Sequence, residues 1–404
     1  MIKEQRAQVF FPVARRLSAA LLSLSVCVGS LFSFPAYATG TVGPLGDKVE
    51  SGYDADTWAR LQDNVLEYDE IPNLVHEYNS VVSGIWDDLE ETRRTLEANA
   101  QELESHRYKM ERMKETAQEE YDVENLVNYA TQEAILKAVA SQMDSASRNM
   151  LNRSTTISLQ KTENQFVKIA QSLMISYDSL KKQRETLGKL EELYAEQYKL
   201  ASHKLSLGLA TEREVLEAQT SQLSAKSTLA SIDGGLLQIR PTLCTMTGWP
   251  ADGSPEVAPI PSVDLARIDA MNLEEDTRKA IGNNATLISQ RTSAKGTSNA
   301  SISARMDIIN EGDQKLTIQM KKLYDDVMSK KKAYQAASDG YQGALKSKAG
   351  YDRMYQLGLL GRADYLGTEI AFYQKKAAWE TADTALLLAI ETYEWAVKGL
   401  TEIE

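Results

Sequence analysis

The chain has 404 residues, with 45 lysines and arginines against 57 aspartates and glutamates, a formal net charge of −12. So acidic a balance argues against nucleic acid or an anionic lipid surface as partner. Aromatic residues make up only 7% of the chain and 18 of them are tyrosines, so narrow helix–helix seams are expected rather than large globular cores.

Residues 1–38 read as a secretory signal. Lys3, Arg6, Arg15 and Arg16 form a positive n-region, residues 17–34 are apolar, and Ala36-Tyr37-Ala38 has the form of a cleavage site. An uncleaved anchor is the competing reading, because the apolar run approaches spanning length; Pro35 before the Ala-x-Ala favours cleavage. Val26 stands where a lipid anchor on Cys27 needs a small residue. Cleavage removes four bases and Glu4, making the mature charge three units more negative. It also removes Cys27, so Cys244 stands alone on an apolar helix flank, where an inert buried thiol is expected.

Residues 39–57, Gly-rich at first, read as a flexible leader. No proline falls between Asn73 and Arg240, or between Ser262 and Glu404. Proline inside a helix costs about 3 kcal/mol, so both stretches are free to be helical. Residues 249–268 hold Pro250, Pro255, Pro259 and Pro261 and form an extended linker. It separates helical repeat 1 (58–248) from helical repeat 2 (269–404).

The repeats share a register. Leu207-Gly208-Leu209 and Leu357-Gly358-Leu359 lie at a fixed offset. Ahead of the first, Leu173, Tyr177, Leu180, Leu187, Tyr194, Tyr198, Ala201 and Leu205 keep a heptad spacing. Leu323, Val327, Tyr334, Ala337, Tyr341, Ala344, Tyr351 and Tyr355 keep it in the second repeat. After the turns the stripes run from Val215 to Met246 and from Tyr365 to Ala396. A seven-residue apolar repeat held this long means coiled-coil packing, and its recurrence means internal duplication. The first repeat is longer upstream by about residues 80–153, a highly charged stretch that reads as a solvated helix face. A single helix over residues 123–205 would be roughly 120 Å long at ~1.5 Å per residue. The expected fold is all-α: long antiparallel coiled-coil hairpins in two tandem repeats.

At each turn a glycine stops one helix as a left-handed cap. Thr211 opens the next helix, with Glu214 completing a Thr-x-x-Glu capping box. Gly361 and Asp364 hold those places in the second repeat. Leu209, Leu359 and Leu360 are expected at exposed apices. Such leucines suit a docking tip, though turn residues of an ordinary hairpin would look the same.

The stretch from Tyr198 to Trp249, with Val215-Leu216-Glu217-Ala218-Gln219 at a helix start, resembles the TolC-like outer-membrane efflux family. The second copy, around Tyr365-Leu366-Gly367, matches more loosely. "MNLEEDTRKAIGNNATLISQR" at residues 271–291 resembles that family's helix pair after the repeat boundary, and a fainter copy ends in Ile71-Pro72-Asn73-Leu74. The resemblance implies a homotrimer whose twelve helical strands form a hollow α-barrel. It implies an adaptor of membrane-fusion type and an inner-membrane transporter as partners, and an outer-membrane association. It makes Leu207, Gly208, Leu209, Leu357, Gly358 and Leu359 the adaptor-docking tips, and Arg213, Glu214, Arg362 and Asp364 candidate charges of a constriction. One departure stands out. The family inserts transmembrane strands of about 9–11 residues, and neither residues 154–159 nor 296–316 has the length and alternation for one.

The leading expectation is an extracytoplasmic duct or docking component of an efflux system; the alternative is a structural coiled-coil protein of the envelope. His76, His106 and His203 are scattered, and no metal-binding or phosphate-loop motif is present. No enzyme activity, cofactor or metal is therefore expected.

Overall fold

The computed structural model describes residues 53–292 and 299–401. The secretory-signal reading, Cys27 and most of the leader lie outside them.

Two short helices open the described chain. Asp54 caps α1 (Ala55–Leu61) by accepting from the Thr57 amide at 2.7 Å. β1 (Val65–Leu66) leads to α2 (Ile71–Tyr78), with Pro72 in its first turn, where a missing N–H is harmless. Asn79 then caps α3 (Ser80–Glu119), accepting from the Val81 and Val82 amides at 3.1 and 3.2 Å. The remaining helices are α4 (Val123–Met150), α5 (Arg153–Ser206), α6 (Glu212–Met246), α7 (Ala266–Asp269), α8 (Leu273–Asn283), α9 (Ala285–Thr292), α10 (Asn299–Gln356) and α11 (Arg362–Val397). β2 (Glu256–Val257) pairs parallel with β1 and pins the linker to the first repeat. These two-residue strands are the only ones among the described residues. No described helix is long and apolar enough to cross a membrane. α10 runs through most of residues 296–316.

Three hairpins form among the described residues, one more than expected. α5 pairs with α6, α10 with α11, and the charged stretch folds into a hairpin of α3 and α4. The expected continuous helix over residues 123–205 breaks at Leu151-Asn152, leaving α5 with 54 residues, about 80 Å. The third hairpin has its own seam. Leu89, Leu96, Leu103, Met110 and Ala117 recur every seven residues on α3, facing Leu126, Glu133, Ala140 and Ser147 on α4. Lys114 and Arg107 of α3 both reach Glu133, so charge replaces apolar packing at its centre.

α5 and α11 pack on each other between α6 and α10, giving the lateral order α6–α5–α11–α10. The predicted stripes face their hairpin partners. Leu180 touches Gly235 of α6, and Tyr341 stacks on Trp379 with ring centroids 5.0 Å apart. From Leu173 onward the most buried positions of α5 lie on a different face: Met174, Ile175, Thr186 and Leu190. The reason is that α5 has two neighbours and so two buried faces. The main core gathers Leu66, Ile71, Leu74, Leu243, Ile268, Leu287, Leu316, Leu386, Ile390 and Tyr393, where the short helices close over the long ones. A smaller cluster of Leu190, Leu366 and Ile370 continues the α5–α11 seam toward the Leu-Gly-Leu turns. Cys244, near the end of α6, is buried as a free thiol, and burial pushes its pKa up.

The duplication extends to the helix ends. Asn79 donates to the Met246 carbonyl at 3.0 Å, and Asn284 donates to the Thr401 carbonyl at 2.9 Å. Asn284 also caps α9, as Asn79 caps α3. The first-repeat counterpart of Asn284 is therefore Asn79, and the faint motif copy is displaced from Asn73. Gly208, Gly248, Gly358 and Gly399 all have positive φ.

Tyr121 takes the same role at the tip of the third hairpin, with φ of 58°. Its amide donates to Gln118 at 3.4 Å, and the Asp122 amide reaches the Ala117 carbonyl at 2.9 Å. This paired bonding closes a helix end on a left-handed residue, which costs a non-glycine residue about 1 kcal/mol. Tyr121→Gly is expected to raise stability by about 0.5–1 kcal/mol, and Gly358→Ala, at φ of 71°, to lower it by about 1–2 kcal/mol. Denaturant titration checks both; the same sign for the two would contradict the turn geometry.

The α5–α11 seam holds a second testable feature. Glu380 and Asp383 are buried there, and burial raises both carboxyl pKa values. Thr186 donates to Glu380 at 2.9 Å, Lys376 lies 3.5 Å from it, and the Val263 amide donates to Asp383 at 3.2 Å. Lys182 pairs with Asp178 at 2.7 Å alongside. A raised folded-state pKa means the folded chain holds the proton more tightly than the unfolded one. Stability is then lost as pH rises from the ordinary carboxylate range through the raised value. Glu380→Gln is expected to flatten the fall in melting temperature above about pH 4.3 and to leave the neutral-pH protein no less stable. An unchanged slope would remove Glu380 as its source.

Candidate functional site

The two Leu-Gly-Leu turns are built alike. At the first, the Gly208 amide donates to Leu205 at 2.9 Å and the Leu209 amide to Lys204 at 2.8 Å. At the second, Gly358 donates to Tyr355 at 3.0 Å and Leu359 to Met354 at 2.9 Å. In each case the last orphan carbonyls of a long helix are satisfied within the turn. Apart from its chain neighbours, no atom of the described residues lies within 4 Å of where a Cβ on either glycine would sit, so none of them covers the two glycines. Leu207, Leu209, Leu357 and Leu359 are 59, 73, 66 and 69% exposed. Four exposed leucines on two matching turns present an apolar surface that no described residue covers. Leu360, expected at the apex, is half-buried instead, because the chain has already turned back toward α11.

The next turn of helix differs between the repeats. Thr211 and Glu214 make the expected capping box, with Oγ1 accepting from the Glu214 amide at 3.3 Å and Glu214 accepting from the Thr211 amide at 3.0 Å. Arg213 is exposed and bonds Glu217 of its own helix at 2.8 Å. In the second repeat Gly361 offers no side-chain cap, and Asp364 is exposed beside it.

Arg362 is the group that reaches across. Its Nε donates to Glu196 of α5 at 2.6 Å, a second nitrogen bonds the other Glu196 oxygen, and Glu369 lies 3.3 Å away. The guanidinium holds the Glu196 carboxyl below its usual range. It also lies 5.7 and 5.6 Å from the ring centroids of Tyr355 and Tyr365, which stack at 4.2 Å. The Tyr365 hydroxyl donates to Asp352 at 2.7 Å, and burial with that bond raises the phenol pKa. Lys348 pairs with Asp352 at 2.8 Å. The structure thus ties Arg362 to the first hairpin, while Arg213, Glu214 and Asp364 stay in local arrangements.

Sequence reasoning missed Glu196, Tyr355 and Tyr365 as partners of Arg362. The i to i+7 step from Arg362 to Glu369 was visible, but the bond to Glu196 joins residues far apart in sequence. A cleft of about 420 Å³ lies between the tips, with Lys204, Glu214 and Glu217 on one side and Ala363 and Gly367 on the other. The three histidines stay apart. His76 bonds Glu163 at 2.9 Å, His106 sits beside Glu102, and His203 is exposed near the end of α5. Among the described residues no group of three or more His, Cys, Asp or Glu is placed to hold a metal.

No family model matches the chain, and no curated protein matches it. Solved structures do. A membrane protein from Pseudomonas aeruginosa is similar over 82% of this chain and 93% of its own, at 11% identity and a TM-score of 0.48. The outer-membrane channel OprN is similar over 65% and 72%, at 11% identity and a TM-score of 0.44. The open state of the MtrE outer-membrane channel of Neisseria gonorrhoeae is similar over 83% and 89%, at 12% identity and a TM-score of 0.43. The chain is thus similar to outer-membrane channels of the TolC family, and at these identities and scores the likeness ends there.

Proposed function

We propose that the chain is an extracytoplasmic, envelope-located helical duct of an efflux or export system, docking end-on to a membrane-fusion-type adaptor that joins an inner-membrane transporter. The observation that carries this is the pair of matching turns, each presenting two exposed leucines at one end of a four-helix layer. Leu207, Gly208 and Leu209, with Leu357, Gly358 and Leu359, are the docking surface. Repeats 58–248 and 269–404 supply one hairpin each to it.

The layer also supports a homotrimer. Among the described residues α5 and α11 are covered on both sides, whereas α6 and α10 each have one uncovered flank. On α6, Leu216, Leu223 and Leu237 are 60, 57 and 76% exposed at multiples of seven residues. A layer with two free edges closes when the edge of one copy meets the opposite edge of the next, a head-to-tail contact that makes a ring. Arg362, Arg213, Glu214 and Asp364, each in the first turn of its helix beyond a tip, would then set the charge near the entrance.

The test separates the tips from assembly. The double variant Leu209→Asp/Leu359→Asp changes only exposed side chains, so its mass by light scattering is expected to stay at three copies. In cells whose own chain is replaced by this variant, dye export is expected to fall at least tenfold. Unimpaired export would remove the tips as the docking surface, and a monomeric mass for the unaltered chain would remove the duct.

A further inference from the structure

The seam between α5 and α11 keeps one register. Thr186 donates to Glu380 at 2.9 Å, and Thr186 stands as far before Gly208 as Glu380 stands beyond Gly358. Leu193 and Tyr373, which share the small apolar cluster, are also at equal distances from the two glycines. Residues at equal heights above the two tips therefore meet. Nearer the tips, Arg362 crosses to Glu196.

Duplication puts the same positions on the two free edges of the layer. α6 is the first-repeat counterpart of α11, and α10 is the second-repeat counterpart of α5. The α11 row of Leu366, Tyr373, Glu380 and Leu387 returns on α6 as Leu216, Leu223, Ala230 and Leu237. The α5 row of Leu200, Leu193, Thr186 and Ser179 returns on α10 as Gly350, Gly343, Ala336 and Ser329. Leu366, Glu380, Leu387, Thr186 and Ser179 are all buried in the seam. Their counterparts on α6 and α10 are all exposed.

We infer that α6 of one copy packs on α10 of the next in the register in which α11 packs on α5 within the chain. The inference rests on the homotrimer proposed above and specifies its contact. Side-chain size supports it independently. At equal heights Leu216 meets Gly350, Leu223 meets Gly343, Ala230 meets Ala336 and Leu237 meets Ser329. Each leucine of one edge falls opposite a small residue of the other, as knobs fall into holes. Pairing α6 with α6 would crowd leucine on leucine, and pairing α10 with α10 would leave gaps. Only the head-to-tail contact fills the space. Charge agrees as well. The counterparts of Arg362 and Glu196 are Glu212 and Lys346, both exposed. The ion pair that ties the two hairpins of one chain thus recurs between chains with its signs exchanged.

Area decides between an open pair and a closed ring. α6 has 35 residues, about 50 Å at ~1.5 Å per residue, and a strip about 10 Å wide buries on the order of 500 Å² at each edge. That falls short of the roughly 800 Å² per partner of a stable pair. In a closed ring every copy uses both edges, so about 1,000 Å² holds it in place.

The test uses the full chain carrying Cys27→Ser, so that buried Cys244 is the one remaining native thiol. Ala230→Cys/Ala336→Cys is oxidised with diamide and run without reductant. Within one chain α5 and α11 lie between these positions, too far for a disulfide, whose Cα atoms must come within about 7 Å. The controls are Ala230→Cys alone and Ala230→Cys/Ser329→Cys, which is one heptad, about 10 Å, out of register. The expected result is a three-copy mass by light scattering, with two-chain and three-chain bands for the in-register pair and none for the controls. Lys346→Glu is expected to raise the concentration at half-dissociation about tenfold, and adding Glu212→Lys to reverse most of that rise. A trimer whose in-register pair fails to link, or links no better than either control, overturns the contact and leaves the homotrimer standing. Lys346→Glu without effect, or unrelieved by Glu212→Lys, overturns the ion pair. A monomer removes the homotrimer, and this contact with it.

Discussion

A long helix becomes a hairpin only if it can be stopped without leaving bare carbonyls at its end. In this chain one bond pattern does that repeatedly. A residue in the left-handed region bends the backbone, and two amides beyond the last turn reach back to the carbonyls inside it. It occurs at Gly208 and Gly358 where the hairpins reverse, at Gly248 and Gly399 where they end, and at Tyr121 in the charged hairpin. The lateral order of helices, the placing of the exposed leucines and the return of each hairpin to the core all depend on where these stops fall. Space sets the residue type at two of them. A Cβ on Gly248 would lie 2.1 Å from the Tyr78 Cβ, and one on Gly399 would lie 2.4 Å from the Asn283 carbonyl oxygen.

The base of each hairpin is then locked by one buried asparagine. Asn79 and Asn284 start α3 and α9 with the side-chain oxygen, and with the side-chain amide they hold the end of α6 and the chain just past α11. Each satisfies backbone groups at two chain ends that would otherwise be buried without partners. That double use explains why a polar residue only 2–5% exposed sits beside an apolar core. Farther along, the α5–α11 seam mixes Leu190, Leu366 and Ile370 with Thr186, Glu380 and Asp383. The two hairpins thus meet along a seam in which apolar side chains alternate with hydrogen-bonded polar and carboxylate groups.

Much of this was legible in the residues. The heptad stripes located the hairpin seams, and Leu207-Gly208 and Leu357-Gly358 located two of the turns, because glycine is the usual residue where φ is positive. The third hairpin was not recognised, for a physical reason: its turn is closed by Tyr121, and its α4 seam sets Glu133, paired with Lys114 and Arg107, among Leu126, Ala140 and Ser147. The seven-residue row from Leu89 to Ala117 was present in the sequence, yet ion pairs at the facing positions hid it among surface charge. The break at Leu151-Asn152 was equally quiet, since Asn152 stands at the start of the next helix without a side-chain cap bond and with no proline or glycine beside it. At the tips the glycines and leucines could be named from spacing, while the reach of Arg362 to Glu196 depends on the packing of α5 against α11, which no local pattern encodes.

The duplicated tips are equal in their stops and unequal in the helix starts beyond them. The first opens its second helix with a capping box, a local device that leaves Arg213 exposed and paired only along its own helix. The second has glycine at the cap and spends its charge on another element: Arg362 bonds Glu196 and lies against the stacked Tyr355 and Tyr365. A bidentate, partly shielded arginine pair holds geometry better than an exposed pair along one helix. The second tip is therefore anchored to the first hairpin near its apex, whereas the first tip is anchored only by its own helices. Arg362 thus joins the two hairpins between the leucine pairs and the Leu190, Leu366 and Ile370 cluster, and adds an ion pair to the apolar contacts that set the spacing of the tips.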